Sequence, residues 1–133
     1  DALDVALCFG WVDGHRRSND EDTFLQRYSP RRAGSSWSKI NVDKVAALEA
    51  AGRMRAPGSA EVERAKADGR WQAAYVAQRE FTVPRDVLVA LKSKRVAFEA
   101  LDKTARYVAL LPVLKATTPA MRAARLERFV ERL

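Results

Sequence analysis

The sequence has one cysteine and one histidine among its 133 residues. Because Cys8 has no second thiol in the chain, no internal disulfide is expected and a cytoplasmic location is predicted. One cysteine and one histidine are too few for a zinc site made of these two residue types. The single histidine, His15, leaves little room for a triad of serine, histidine and aspartate. An enzyme of an unrecognised class stays an alternative, and it would need a deep pocket lined by Cys8, Asp13 or His15.

Long apolar runs and glycine-rich phosphate loops are also missing. A membrane-spanning helix needs about 18 consecutive apolar residues, whereas the best candidate, Tyr107–Leu114, is shorter and contains Pro112. Neither GxGxxG, GxxxxGK nor GxSxG occurs, which removes common nucleotide-binding and hydrolase motifs. Acidic residues cluster only in Ser18–Asp22, SNDED, where solvated carboxylates are poor acid–base catalysts. We therefore predict no catalytic residue, no metal site and no cofactor, with a magnesium site at Asp20 and Asp22 as an alternative that the spacing supports only weakly.

Acidic residues are fewer than basic ones. The chain has 24 lysine and arginine residues against 17 aspartate and glutamate residues, so its formal net charge is +7. Residues 1–38 are slightly acidic, and Arg27–Arg70 holds most of the positive excess. Such a surface attracts polyanions, anionic lipid or phosphorylated ligands. The alternative is that the charges are spread over solvated helix faces.

The first 38 residues predict a small β unit. Gly10 ends a short amphipathic helix, and residues rich in β-formers follow on both sides of a polar linker. The two strands predict a hairpin with a loop longer than two residues. The predicted elements are a helix at Ala2–Phe9, a short extended segment at Trp11 and Val12 with a turn at Asp13 and Gly14, a linker at Ser18–Asp22, a strand at Thr23–Tyr28 and a loop at Ser29–Ser38.

The rest of the chain predicts helices, because apolar residues recur at helical spacing between capping residues. The fold class is therefore α+β, as a single domain 1–133 in which a hairpin unit, 1–38, packs on a helical array, 39–133. Since the chain begins without methionine, on a helix already under way, we expect a further amino-terminal segment to be missing. The predicted helices are Val42–Ala51, Ala60–Ala67, Arg70–Gln78, Pro84–Lys92, Ser93–Leu101, Lys103–Lys115 and a last one from Thr118 to Leu133.

Polar and aromatic residues are densest in the hairpin and the loop after it. Backbone N–H groups and guanidinium groups in such a loop can hold phosphate or carboxylate, and Trp37 can either stack on a ligand or close the end of the core. We expect an arginine-bearing bend here to form a concave recess. The candidate ligand-binding residues are Asp13, Gln26, Arg27, Arg31, Arg32, Trp37, Ser38, Lys39 and Asn41.

A row of arginines along the last helix is the second candidate surface. Arg122, Arg125, Arg128 and Arg132 lie beside its apolar stripe and could contact a DNA backbone. No helix-turn-helix signature and no RNA-binding aromatic motif accompanies them. Nucleic-acid binding is therefore kept as the alternative to a solvated face.

Five motifs between residues 10 and 75 carry a family resemblance: GWVDG, FLQRYSPRR, SxWSKIN, GRMRAPG and AKADGRWQAAY. In this order they resemble the bacteriocin-protection, OmpD-associated family of the YdeI type. The carboxy-terminal helices are similar to it more loosely, through TVPRD, ARYVALL and RAARLERFVERL. Where the family has Thr-Arg at the start of the last helix, this chain has Met121 and Arg122.

The resemblance implies a resistance protein without an established catalytic residue. The family usually has a further amino-terminal β-containing segment, so a sheet in this chain would be incomplete and would expose an edge. A protein of charge +7 should repel cationic peptides, so protection would be indirect or would use an acidic patch such as SNDED. We therefore expect a non-enzymatic stress or bacteriocin/cationic-peptide resistance protein that binds an unknown protein partner or an anionic ligand, with the oligomeric state left open.

Overall fold

The computed structural model describes residues 1–133 as a short helix, a β-hairpin and six further helices. This order confirms the predicted α+β class, with a small amino-terminal hairpin unit and a mainly helical remainder. None of the helices is both long and apolar enough to cross a membrane. The elements are α1 (Ala2–Cys8), β1 (Trp11–Ser18), β2 (Phe24–Pro30), α2 (Lys39–Ala50), α3 (Ala56–Ala67), α4 (Arg85–Leu91), α5 (Arg95–Glu99), α6 (Lys103–Leu114) and α7 (Pro119–Glu131).

The hairpin is an antiparallel two-stranded sheet with a bulge in β1. Its register shifts between Asp13 and Arg16, and the Gln26 amide donates hydrogen bonds to the Gly14 and His15 carbonyl oxygens at 2.9 and 3.4 Å. A bulge leaves such carbonyls without ladder partners, so Gln26 stabilises the irregular strand. The sheet has only these two strands, so both of its edges are unpaired.

Side-chain caps begin four of the helices. An oxygen of Asp1, Ser38, Asp102 or Thr118 accepts a hydrogen bond from the backbone N–H three residues later. Each bond satisfies an N–H group that has no partner within its helix. The caps therefore fix where α1, α2, α6 and α7 start.

Two separate apolar clusters form the interior. The first joins α1, α2 and α3 with Trp37, and the second joins α4, α5, α6 and α7. The buried members of the first are Leu7, Cys8, Trp37, Val42, Val45, Leu48, Val62 and Ala65, and those of the second are Val87, Leu91, Phe98, Leu110, Val113 and Phe129.

The segment between α3 and α4 holds the two clusters together. Its Tyr75 backbone exchanges hydrogen bonds with the Trp37 carbonyl (3.1 Å) and the Lys39 N–H (2.8 Å) on the amino-terminal side. On the other side, the Tyr107 hydroxyl donates to the Val76 carbonyl at 2.6 Å. The segment thus places the start of α2 and the middle of α6 at one junction.

The structure corrects the predicted helix Arg70–Gln78. This stretch forms turns, an isolated parallel bridge between Ser38 and Tyr75, and a single 3₁₀ turn from Gln78. Local propensity favoured a helix, but the backbone bonds of Tyr75 to the loop before α2 replace the helical ones. Trp71 packs edge-on against Trp37, with ring centroids 5.0 Å apart.

Three boundaries were also wrong. The turn predicted at Asp13 and Gly14 is part of β1, and the chain reverses at residues 19–23. The helix predicted from Ala60 begins at Ala56, because Pro57 is compatible with a first helical turn. The helix predicted at Ser93–Leu101 is shortened to α5, because Lys92 has a positive φ of 43° and a 3₁₀ turn follows it.

Candidate anion-binding site

The arginines of the predicted loop surface lie in different environments. Arg27 and Arg32 are exposed, whereas Arg31 is buried and only 8% exposed. Its backbone N–H donates to the Gly10 carbonyl oxygen at 3.0 Å, which fixes the loop against the end of α1. The structure therefore does not bring the three guanidinium groups together in the expected recess.

Arg31 stacks on Trp37 inside the first apolar cluster. Its guanidinium carbon lies 3.5 Å from the centroid of the Trp37 ring, and Trp37 itself is 2% exposed. The Nη1 group donates to the Ser35 hydroxyl at 3.1 Å, but Nε and Nη2 of Arg31 and Nε1 of Trp37 have no partner. Burial lowers the pKa of Arg31 to about 10, with the negative charge of Glu61 opposing the shift.

We expect Arg31→Met to leave the free energy of unfolding unchanged or to raise it by about 1 kcal/mol, because it removes a buried and incompletely paired charge while keeping the contact with Trp37. Arg31→Ala is the control, and it should lower this free energy by roughly 1–3 kcal/mol through lost packing. Urea denaturation followed by circular dichroism measures both. A methionine variant as unstable as the alanine variant would contradict the prediction.

The remaining predicted ligand-binding residues divide into structural and exposed ones. Ser38 caps α2, and Asn41 is buried one turn later. Lys39 pairs with Asp43 at 3.1 Å on the helix surface. Asp13 is exposed in β1, next to the bulge. The part that any of these residues plays in binding stays a prediction.

The arginines of the α7 row also divide into structural and exposed ones. Arg122 forms a two-point ion pair with Asp86 of α4, at 2.6 and 2.9 Å, and its hydrogen bonds hold the pKa of that carboxyl below its ordinary value. Arg125 donates to the Pro112 carbonyl at 2.8 Å, which satisfies an acceptor at the end of α6. The side chains of Arg128 and Arg132 are exposed and make no hydrogen bond or ion pair within the protein.

A cleft between the two apolar clusters gathers cations from three parts of the chain. We call it the basic cleft. It encloses about 380 Å³, which is within the range of small-ligand sites. Its walls come from the loop before α2, the segment after α3, the end of α6 and the first half of α7, and the lining residues are Gly34, Ser36, Asp68, Arg70, Lys115, Thr117, Met121 and Arg125.

Arg70 is the most firmly held cation of the basic cleft. Its Nε donates to both Asp68 carboxylate oxygens at 2.9 and 2.7 Å, and its Nη1 donates to the Ser35 carbonyl at 2.8 Å. The side chain is 9% exposed, and its Nη2 makes no hydrogen bond within the protein. A preorganised guanidinium of this kind suits a carboxylate or phosphate oxygen.

The net charge of the basic cleft is positive. Burial opposes ionisation of Asp68, but its hydrogen bonds with Arg70 and the charge of Arg70 hold the pKa of Asp68 below its ordinary value. Asp68 is therefore ionised and balances Arg70. Lys115 and Arg125 remain as two uncompensated charges, and the Lys115 ammonium makes no ion pair and lies 4.8 Å from the Tyr75 ring centroid.

Sequence reasoning missed Arg70 and Lys115, and no local pattern marks them. They are 45 positions apart in the sequence and meet only because the two clusters pack together. The loop predicted at Ser29–Ser38 gave a partial indication of the basic cleft, because it contributes Gly34 and Ser36 to the lining.

The hollow that Cys8 lines does not include the other residues named for the enzyme alternative. Cys8 is 3% exposed and lines a small hollow of about 180 Å³ between α1 and the loop before α3. Asp13 and His15 are exposed on β1 and do not line that hollow. That hollow is therefore not the deep pocket that the enzyme alternative needs.

Comparison with known families matches the two ends of the chain to different families. Residues 1–61 match a domain of unknown function (DUF8412). Residues 80–133 match the family described as bacteriocin-protection, YdeI or OmpD-associated, so this match lies in the carboxy-terminal helices and not in the motifs of residues 10–75. Searches of curated proteins and of solved structures found no significant match. The resemblance to the bacteriocin-protection, YdeI or OmpD-associated family is confirmed by the match over residues 80–133.

Proposed function

We propose that the protein is a non-enzymatic binding protein with a role related to bacteriocin protection, and that it holds a small anion or an anionic group of a partner in the basic cleft. The observation that carries this proposal is the convergence of Arg70, Lys115 and Arg125, with Asp68 as the only carboxylate among them. Two positive charges in a partly enclosed cleft attract an anion more strongly than the same charges on a solvated face.

The family description supports a role in protection but names no ligand. Direct capture of a cationic peptide conflicts with the charge of the protein, which is +7, and with the charge of the basic cleft. An anionic ligand agrees with both. Protection would then depend on the bound anion itself or on the partner that carries it.

The test is isothermal titration with methyl phosphate at low ionic strength. We expect saturable binding, and we expect Lys115→Gln to weaken it about tenfold, because one charge-assisted hydrogen bond is lost. Lys103→Gln removes the same charge from the other end of α6 and is the control. It lies outside the basic cleft and should leave the affinity unchanged within about twofold.

Two results would contradict the proposal. One is the absence of saturable methyl phosphate binding by the wild-type protein. The other is an equal loss in the two lysine variants, because this would show a diffuse attraction with no defined site. DNA retention with a steep dependence on salt concentration, unchanged in Lys115→Gln, would favour the nucleic-acid alternative on α7.

A further inference from the structure

A half-open groove between α6 and α7 lies next to the basic cleft. It encloses about 780 Å³, and most of its floor is apolar, formed by Leu101, Leu111, Pro112, Phe129 and Leu133. Small-molecule sites commonly have this size and an apolar lining with few polar groups. We call it the α6/α7 groove.

The charges at the α6/α7 groove are all of one sign. Lys115, Arg125, Arg128 and Arg132 line it, and no aspartate or glutamate does. Arg128 and Arg132 have no acidic partner within the protein. An apolar surface bordered only by cations is complementary to a molecule that is apolar and anionic at once.

The α6/α7 groove and the basic cleft share two residues. Lys115 and Arg125 line both, so the apolar surface continues into the polar one at these two side chains. A ligand with an anionic head in the basic cleft would therefore direct its remaining part along the groove.

We propose that the ligand is a free, single-chain anionic amphiphile, with its phosphate or carboxylate head between Arg70, Lys115 and Arg125 and its alkyl chain in the α6/α7 groove. This rests on the proposed function, since the basic cleft holds the head. Beyond the proposed function, the amphiphile proposal names the class of ligand and adds a second, apolar subsite. Arg70, Lys115 and Arg125 complement the single negative head, and the apolar floor of the groove complements the chain.

The length of the groove fits a medium alkyl chain. Lys115 lines the basic cleft and Val108 does not, so Val108 lies towards the end of the groove that is away from the cleft. Seven residues separate these two positions, which corresponds to about 10 Å along the helix. Val108 lines the groove and is 57% exposed, so this end of the groove is open and the chain can project from it.

The first experiment compares monomeric alkyl phosphates of increasing chain length with methyl phosphate, by isothermal titration below the micelle concentration. Each methylene group should tighten binding about twofold to fourfold until the groove is filled, as expected for partial to full burial of a methylene group. Affinity that does not depend on chain length, with methyl phosphate still bound, would overturn the amphiphile proposal and leave the proposed function intact.

A blocking variant tests where the chain lies. Ala109 lines the groove on the exposed face of α6, so Ala109→Trp should fill it and weaken decyl phosphate binding about tenfold or more, while methyl phosphate binding stays within about twofold. Ala47→Trp, at an exposed position of α2, is the control and should leave both affinities unchanged. Equal effects of the two tryptophans on decyl phosphate would overturn the assignment of the groove.

The source of the amphiphile is tested with vesicles that contain phosphatidylglycerol. If the ligand is a free amphiphile, the wild-type protein saturated with decyl phosphate should bind these vesicles no more strongly than the Ala109→Trp variant does. Cosedimentation with vesicles, together with no saturable binding of monomeric decyl phosphate, would replace the proposal with a membrane-surface role for α7.

Discussion

Gly58→Ala is expected to lower the free energy of unfolding by about 3 kcal/mol or more, the upper range for overpacking a core. A Cβ atom at Gly58 would lie 2.2 Å from the Cys8 carbonyl oxygen and 2.7 Å from its carbonyl carbon. Both are backbone atoms, so no side-chain rotation relieves the clash. Helices α1 and α3 would have to separate, and their packing within the first apolar cluster would be disturbed.

The sign of this effect distinguishes it from a propensity effect. In a helix without such a contact, glycine to alanine stabilises by about 1 kcal/mol. At Gly58 the close approach of α3 to the end of α1, where the Arg55 N–H donates to the Cys8 carbonyl at 3.1 Å, reverses this preference. Urea denaturation followed by the helical circular dichroism signal measures the change.

Gly14→Ala is the matched control for Gly58→Ala. A Cβ atom at Gly14 would meet its nearest neighbour, an Arg27 backbone oxygen, at 3.7 Å, which is an ordinary van der Waals contact. The free energy of unfolding of this variant should stay within about 0.5 kcal/mol of the wild type. A Gly58→Ala protein as stable as the control would show that the two helices are not in close contact.

The parts of the fold that depend on local chemistry could be predicted from the sequence. Asp102 and Thr118 are followed by helical patterns, and both cap the helices that the patterns predicted. The hairpin was also predictable from its β-forming residues. The turn predicted at Asp13 and Gly14 was wrong, because the Gln26 side chain satisfies the bulge carbonyls and lets β1 continue. That contact joins residues 12 positions apart, which no turn rule considers.

The site was harder to predict than the fold, for a similar reason. Arg31 was visible in the sequence as a loop arginine, but whether it faces solvent depends on where the Trp37 ring lies. Arg70 was assigned to a helix, although its side chain reaches the Ser35 carbonyl across 35 positions. Charge and loop composition indicated an anion-binding region near residues 29–38. They could not indicate that Lys115 approaches it from the other cluster.

Trp37→Ala is expected to lower the free energy of unfolding by about 3–5 kcal/mol, the range for removing a large buried aromatic side chain. Trp37 is 2% exposed, and its ring contacts the Trp71 ring and the Arg31 guanidinium. Its removal leaves a cavity. It also leaves Arg31 buried without its stacking partner and with Nε and Nη2 still unpaired, so the loss should lie near the upper end of this range.

A double-mutant cycle separates the cavity from the stacking contact between Trp37 and Arg31. In an Arg31→Met background, Trp37→Ala should cost about 1–2 kcal/mol less than in the wild type, because a desolvated cation–π contact is no longer there to lose. Trp11→Ala is the control for removing an indole ring, since Trp11 is 42% exposed and its loss should cost less than about 1 kcal/mol. If Trp37→Ala cost no more than Trp11→Ala, the first apolar cluster would not be organised around Trp37, and the buried position of Arg31 would lose its physical basis.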